Sequence, residues 1–128
     1  MVEKITNGIK ISVQTAYNGI LQQQDKQLNA FSYEISIANE SSDTVQLLER
    51  FWEISDALNH KEYVEGEGVI GQQPVLAPNR HHRYTSNCFL FAETGAMRWR
   101  FKMKNMHTKD CFYVIIPTFQ LTTTAALN

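Results

Sequence analysis

Residues Met97-Arg98-Trp99-Arg100-Phe101-Lys102-Met103-Lys104 (MRWRFKMK) alternate apolar and basic side chains without a break. On an extended strand successive side chains point to opposite faces, so this octet predicts an apolar face, with Trp99 among its members, turned to a core. The basic face is turned to water. The same period-2 pattern runs through Ile9, Ile11 and Val13, spaced by Lys10, Ser12 and Gln14. It returns in Phe31, Tyr33, Ile35 and Ile37, spaced by Ser32, Glu34 and Ser36. Further strands are expected at about 44–56, 60–65, 73–77, 81–88 and 111–123. Turn-forming residues separate them: Asn39 to Asp43 (NESSD), Asn59, Pro78-Asn79 and Asn105.

No segment carries a sustained 3.6-residue apolar stripe. The polar stretch GILQQQDKQ (19–27) is open to two readings, a short helix or a long hairpin loop. Many short strands without helices between them argue for an all-β fold, an antiparallel β-sandwich. In Leu48-x-Arg50-x-Trp52-x-Ile54-x-Asp56 one strand face carries a large aromatic at its middle. A buried tryptophan on a central strand is a common anchor of immunoglobulin-like sandwiches. With no linker, repeat or low-complexity segment, residues 1–128 read as a single domain with its core at about 8–123.

The chain's 128 residues suffice to bury a core, and 43% hydrophobic and 20% charged residues are ordinary for a globular domain. Twelve basic against 13 acidic side chains leave a formal net charge of −1. Global charge therefore supplies no argument for nucleic acid or membrane binding; only local patches can. MVEKITNGIK lacks the apolar segment of a signal peptide, and no apolar run approaches the roughly 18–20 residues that span a bilayer. The expectation is a cytoplasmic protein without membrane insertion. Cys88 and Cys111 stand apart without a CxxC pair, and read as buried small apolar residues rather than a disulfide.

The glycines of Gly66-Glu67-Gly68-Val69-Ile70-Gly71 (GEGVIG) have the spacing of a dinucleotide-binding fingerprint. That fingerprint needs a helix opening at its last glycines, because the helix N-terminus holds the pyrophosphate. Here QQPVLAPN follows, and Pro74 and Pro78 would interrupt such a helix. A helix-free cradle of backbone N–H groups would still serve an anion. Glu65 and Glu67 oppose it unless basic side chains converge from elsewhere. The preferred reading is a β-bend that needs glycine for positive φ or close approach. Gly66, Gly68 and Gly71 are retained as candidate ligand-binding residues for a weak pyrophosphate.

His81 and His82 are adjacent, so on a strand they point to opposite faces and cannot share one ion. His60, near Glu62, Glu65 and Glu67, would hold a divalent cation weakly at most, since no zinc or calcium spacing is present. Ser86 and Cys88 have no base nearby in sequence, so no catalytic residue, resident metal or cofactor is assigned. The basic side chains Arg98, Arg100, Lys102 and Lys104 project from one strand face about 6.6–6.8 Å apart. They form either a solvated face or a docking strip for an acidic protein segment, a phosphate-rich ligand or nucleic acid. The octet places no aromatics on that face, so base stacking on nucleic acid is not expected.

Taken together, RFWEISD (50–56), GEGVIGQQPVLAP (66–78), Tyr84-Thr85-Ser86, Gly95-x-Met97 and IPTFQL (116–121) resemble the ApaG family, also labelled CorD. The resemblance runs from about residue 8 to 123 and implies a fibronectin type III-like sandwich. It also implies a non-enzymatic, protein-binding role. A similar domain is appended to certain eukaryotic F-box proteins and to a polymerase-delta-interacting protein. Bacterial members are linked genetically to cobalt resistance and magnesium efflux, and the family's glycine motif has been discussed as a pyrophosphate site. Three positions depart from the family pattern: Phe51 stands where histidine is usual, Asn79 and Trp99 where glycine is usual.

Overall fold

The computed structural model describes residues 1–124. Nine strands follow one another: β1 (Val2–Thr6), β2 (Ile9–Gln23), β3 (Lys26–Asn39), β4 (Val45–Asp56), β5 (Glu62–Glu67), β6 (Val75–Leu76), β7 (His81–Leu90), β8 (Thr94–Asn105) and β9 (Cys111–Thr122). They form two antiparallel sheets, ordered β1-β2-β3-β7 and β5-β4-β8-β9, with the short β6 added to β4. No helix among the described residues is long and apolar enough to cross a membrane.

The alternation read from sequence supplies the two inner faces. Ile9, Ile11 and Val13 of β2 and Phe31, Tyr33, Ile35 and Ile37 of β3 are buried against Met97, Phe101 and Met103 of β8 and Val114, Ile116, Phe119 and Leu121 of β9. Trp52 sits between the layers, its ring 5.5 Å from Tyr33, 5.8 Å from Phe119 and 6.3 Å from Phe101. All three contacts are edge-to-face, which suits the ring quadrupole. The fold is thus the expected β-sandwich, anchored by the tryptophan of its second sheet.

Four details differ from the sequence reading. Residues 19–27 are neither helix nor loop: β2 and β3 stay paired to Gln23↔Lys26 and turn in two residues, with Gln24 at φ 55°. Second, β1 was not expected. Asn7 and Gly8, at φ 49° and 78°, make the left-handed pair that a two-residue hairpin requires. Third, β4 shifts register between Leu47 and Glu49. A bulge there inserts one residue, so Val45 and Leu47 are buried while Leu48 is only half-buried. Arg50, Trp52 and Ile54 keep the inward phase beyond it.

The fourth difference is Trp99, which does not join the core. Its Cα partner across β4 is Trp52, yet Trp99 adopts φ 138°. Its ring lies instead on the outer face, 5.6 Å from Phe51 and 5.7 Å from Tyr63. Arg98, Trp99 and Arg100 thus put three successive side chains on the same side of the sheet. The neighbouring β9 accommodates this with its own register shift, pairing Met97 with Phe119 but Trp99 with Ile116.

Candidate functional site

The glycine stretch closes into one tight turn of backbone. The Gly68 N–H donates to the Leu48 carbonyl at 2.8 Å. Val69 and Gln72 exchange both their N–H···O bonds, at 2.8 and 3.0 Å. Between them Ile70 and Gly71 sit at φ 47° and 71°, the signature of a type I′ turn. Gly68, at φ 62°, packs so tightly that an added Cβ would collide with the Gln72 carbonyl oxygen. Three N–H groups that would have lined an anion cradle are therefore already bonded, two of them within the loop and that of Gly68 to β4. Its carbonyls instead face a cation: Arg50 Nη1 donates to Glu67 O at 3.1 Å and Gly68 O at 3.0 Å. Gly66 lies against the same guanidinium, 2.9 Å from its ideal Cβ position.

Arg50 reaches the loop from inside the sandwich. The sheets close together where β1 and β2 approach β9, whereas a cleft of about 350 Å³ lies between the β4–β5 side of one sheet and β7 of the other. Trp52, Met97 and Leu90 form part of its apolar wall, and Asp56, His60 and Glu62 stand among its polar lining. A recess of about 150 Å³ shares Tyr33, Arg50, Trp52 and Ser86 with the cleft and adds Tyr84 and the Val69–Gly71 backbone. Arg50 joins none of the ion pairs found among the described residues. The Tyr84 hydroxyl is buried without a hydrogen-bond partner among the described residues.

Burial drives the ionisation of this region. It raises the Tyr84 phenol well above its ordinary value, helped by Tyr33 and opposed by Arg50. It raises Tyr33 too, against the opposing pull of Ser86. Burial, followed by Glu62 and Asp56, lifts the Cys88 thiol to about 11. At neutral pH both phenols are donors and Cys88 is a protonated thiol, a poor nucleophile. Cys88 is buried as expected, whereas Cys111, at the start of β9, is exposed. Asp56 is occupied otherwise: its carboxylate accepts the N–H groups of Leu58, Phe91 and Ala92 at 2.7–3.1 Å, pinning the β7–β8 connection.

The basic stripe lies on the outer face of the β5-β4-β8-β9 sheet, and its members differ in circumstance. Arg98 donates to Glu53 at 2.7 Å and Lys102 stands 3.8 Å from Glu49. Glu53, only 11% exposed in its side chain, also accepts from the Tyr63 hydroxyl at 3.2 Å and lies 3.7 Å from Lys61. The Arg98 hydrogen bond is the main cause holding this carboxyl below its ordinary value. Arg100 lies on rings rather than carboxylates, 3.8 Å from the Tyr113 centroid, 5.4 Å from Trp99 and 5.6 Å from Phe51. Among the described residues Lys104 takes part in no ion pair.

Aromatics therefore do share the stripe's face, contrary to the reading of the octet alone. They come from neighbouring strands, as Tyr63, Phe51 and Tyr113, and from the turned-out Trp99. Phe51 occupies the outer face, so the histidine expected there by family resemblance would not have pointed into the cleft. Asn79 occupies φ 67°, a left-handed position that asparagine tolerates. Among the described residues no group of three or more His, Cys, Asp or Glu is placed to hold a metal ion. A separate hollow of about 290 Å³ on the first sheet has Lys10, Glu34 and Arg83 in its lining. Those charges are paired, Lys10 with Glu40 and Arg83 with Glu34.

The ApaG domain model matches residues 21–105. Protein ApaG of Brucella suis biovar 1 is 37% identical over 121 residues, covering 94% of this chain and 92% of that one. Protein ApaG of Brucella anthropi is 38% identical over the same length and coverage. Among solved structures, a structural-genomics target matches with TM-score 0.87 and 32% identity, over 92% of this chain and 89% of that one. A crystallised Bordetella pertussis protein described as an ApaA protein matches with TM-score 0.80 and 31% identity, over 91% and 94%. Fold, family model and full-length relatives agree, and the chain belongs to the ApaG family.

Proposed function

We propose that the chain is a protein-interaction module whose partner docks on the outer face of the β5-β4-β8-β9 sheet. One observation carries this reading: Tyr63, Phe51, Trp99 with Arg100, and Tyr113 form a band that crosses all four strands on the solvent side. Tyr63 is 62% exposed and Tyr113 41%. Aromatic residues and arginine are the side chains that dominate binding energy at interfaces. Trp99 strengthens the case, because its backbone adopts a conformation that costs a non-glycine residue about 1–3 kcal/mol. That cost holds a large ring outside the core, where it contributes nothing to inter-sheet packing.

Charge defines the partner's chemistry. Arg98 and Lys102 are neutralised by Glu53 and Glu49, while Arg100 and Lys104 have no carboxylate partner among the described residues. The matching surface is an apolar protein segment bearing one or two acidic residues. Any influence on divalent-cation efflux would run through such a partner, for instance a transporter or its regulator.

The test is affinity capture from native cells with wild type, Tyr63→Ser/Tyr113→Ser and the first-sheet control Arg83→Glu, all checked for folding. The expected result is a partner retained by wild type and the control but lost by the double variant. Its capture should also weaken in Lys104→Glu, and more at low salt than at high, as screening prescribes. Equal capture by all three folded proteins would remove this face from consideration.

A further inference from the structure

The cleft carries a second, independent site. We propose that Arg50, Tyr33, Tyr84 and Ser86 bind a carboxylate group carried on an apolar body, which lies along the cleft between β5 and β7. Donors are in place there with capacity to spare. Tyr84 presents a buried hydroxyl that has no partner, and buried hydroxyls are normally satisfied. Arg50 has five N–H donors, of which Nη1 is held by the Glu67 and Gly68 carbonyls. That tether fixes the guanidinium in position, while no carboxylate of the protein pairs with it among the described residues. A recess of about 150 Å³ is small, and a planar carboxylate suits both its size and the fork of a guanidinium.

Two features select this anion over a phosphate. Val69 and Gln72 have committed their N–H groups to each other and Gly68 has committed its own to Leu48 of β4, so the backbone cradle that phosphates favour is missing at those positions. The lining also contains Glu62 and Asp56, whose negative charge penalises a dianion more than a monoanion. Beyond the recess the wall turns apolar at Trp52, Leu90 and Met97, which provides for the ligand's body. The ligand is either a free organic acid or the C-terminus of a peptide chain; the recognised chemistry is the same. The site lies inside the sandwich, away from the outer aromatic band, so each proposal can fail without the other.

Calorimetric titration of the whole chain decides the matter with five probes: 3-phenylpropanoate, its uncharged amide, pyrophosphate, and a short peptide ending in phenylalanine with a free or an amidated C-terminus. The carboxylate form of at least one pair should bind at least about tenfold more tightly than its amide. Tighter binding by the free peptide identifies a chain terminus as the occupant, and tighter binding by the small acid identifies a metabolite; either supports the site. Tyr84→Phe separates binding from folding. Deleting an unsatisfied hydroxyl should leave thermal stability unchanged or higher, while weakening the carboxylate by about threefold or more and leaving the amide unaffected. Arg50→Gln should abolish the preference for the charged probe. Binding of neither acid at about 10 mM, equal binding of acid and amide, or tighter binding of pyrophosphate would overturn the proposal. So would a Tyr84→Phe protein that binds the carboxylate as wild type does.

Discussion

Replacing Trp99 by glycine and by alanine gives a sharp test of the outward-turned strand. Both substitutions delete the same ring contacts, to Phe51 at 5.6 Å and Tyr63 at 5.7 Å, each worth about 0.5–1.5 kcal/mol. They differ in what remains at φ 138°. Alanine keeps the Cβ that makes this conformation costly, by about 1–3 kcal/mol. Glycine removes it. In an ordinary strand alanine is the more stable of the two by about 0.5–1 kcal/mol, because glycine loses more entropy on folding. At residue 99 the order should invert, with glycine ahead by about 1–2 kcal/mol. Trp99→Gly itself should fall at or modestly below wild type, since the strain released offsets the two aromatic pairs, and the Arg100 contact at 5.4 Å is lost besides. Urea unfolding followed by fluorescence reads this directly, because Trp52 is then the chain's sole tryptophan and lies in the core. An alanine variant as stable as the glycine variant, or more so, would mean that the backbone at 99 is unstrained in solution. Trp99 would then stand outside the core at no cost, and its outward turn would not mark a binding face.

Trp52→Ala should cost about 3–5 kcal/mol in the same assay, since the ring is 3% exposed and touches Tyr33, Phe101 and Phe119. A loss below about 1 kcal/mol would contradict the inter-sheet position. Gly68→Ala should cost at least about 2 kcal/mol, because both its φ of 62° and the Gln72 carbonyl oppose a Cβ; Gly71→Ala, with open space around it, should cost about 1 kcal/mol or less. Equal losses in urea would show that φ alone, and not the close approach, governs the loop. Glu53 makes stability pH-dependent in a known direction. Its folded value lies below the ordinary 4.5, so its contribution is complete above that pH and disappears as pH falls through the depressed value. Glu53→Gln should flatten the acid limb of a pH–stability profile, and an unchanged limb would refute the assignment. Arg98→Glu should destabilise by more than the roughly 0.5 kcal/mol of an ordinary surface change, because it sets a second carboxylate against the nearly buried Glu53; a melting curve matching wild type would contradict that ion pair.

Much of the candidate site was half-visible in sequence. Arg50 shares the phase of Trp52 and Ile54, and an arginine on a core-facing register is itself a sign of an inward polar site. The partner groups were not visible, because Tyr33, Tyr84 and Ser86 come from β3 and β7 and meet Arg50 only across the two layers. Asn7-Gly8 was a readable hairpin signal for β1. The aromatic band was hidden for the same reason as the cleft. Each strand contributes one or two rings, and cross-strand register brings them together.

Side-chain period alone determined the all-β sandwich here, since alternation over β2, β3 and β8 forces one face of each strand out of water whatever its neighbours. Turn chemistry likewise set the loop at Gly68 and Gly71, where positive φ is a local property of the backbone. The direction of Trp99 could only be decided in three dimensions. A period of two places it in the core, but Trp52 already occupies the paired inner position, and the register shift in β9 lets the strand rotate. The state of Arg98 and Arg100 was also tertiary. Their spacing is identical in sequence, yet one meets the carboxylate of Glu53 and the other the ring of Tyr113. Charge is carried by the residue, but its pairing belongs to the strand beside it.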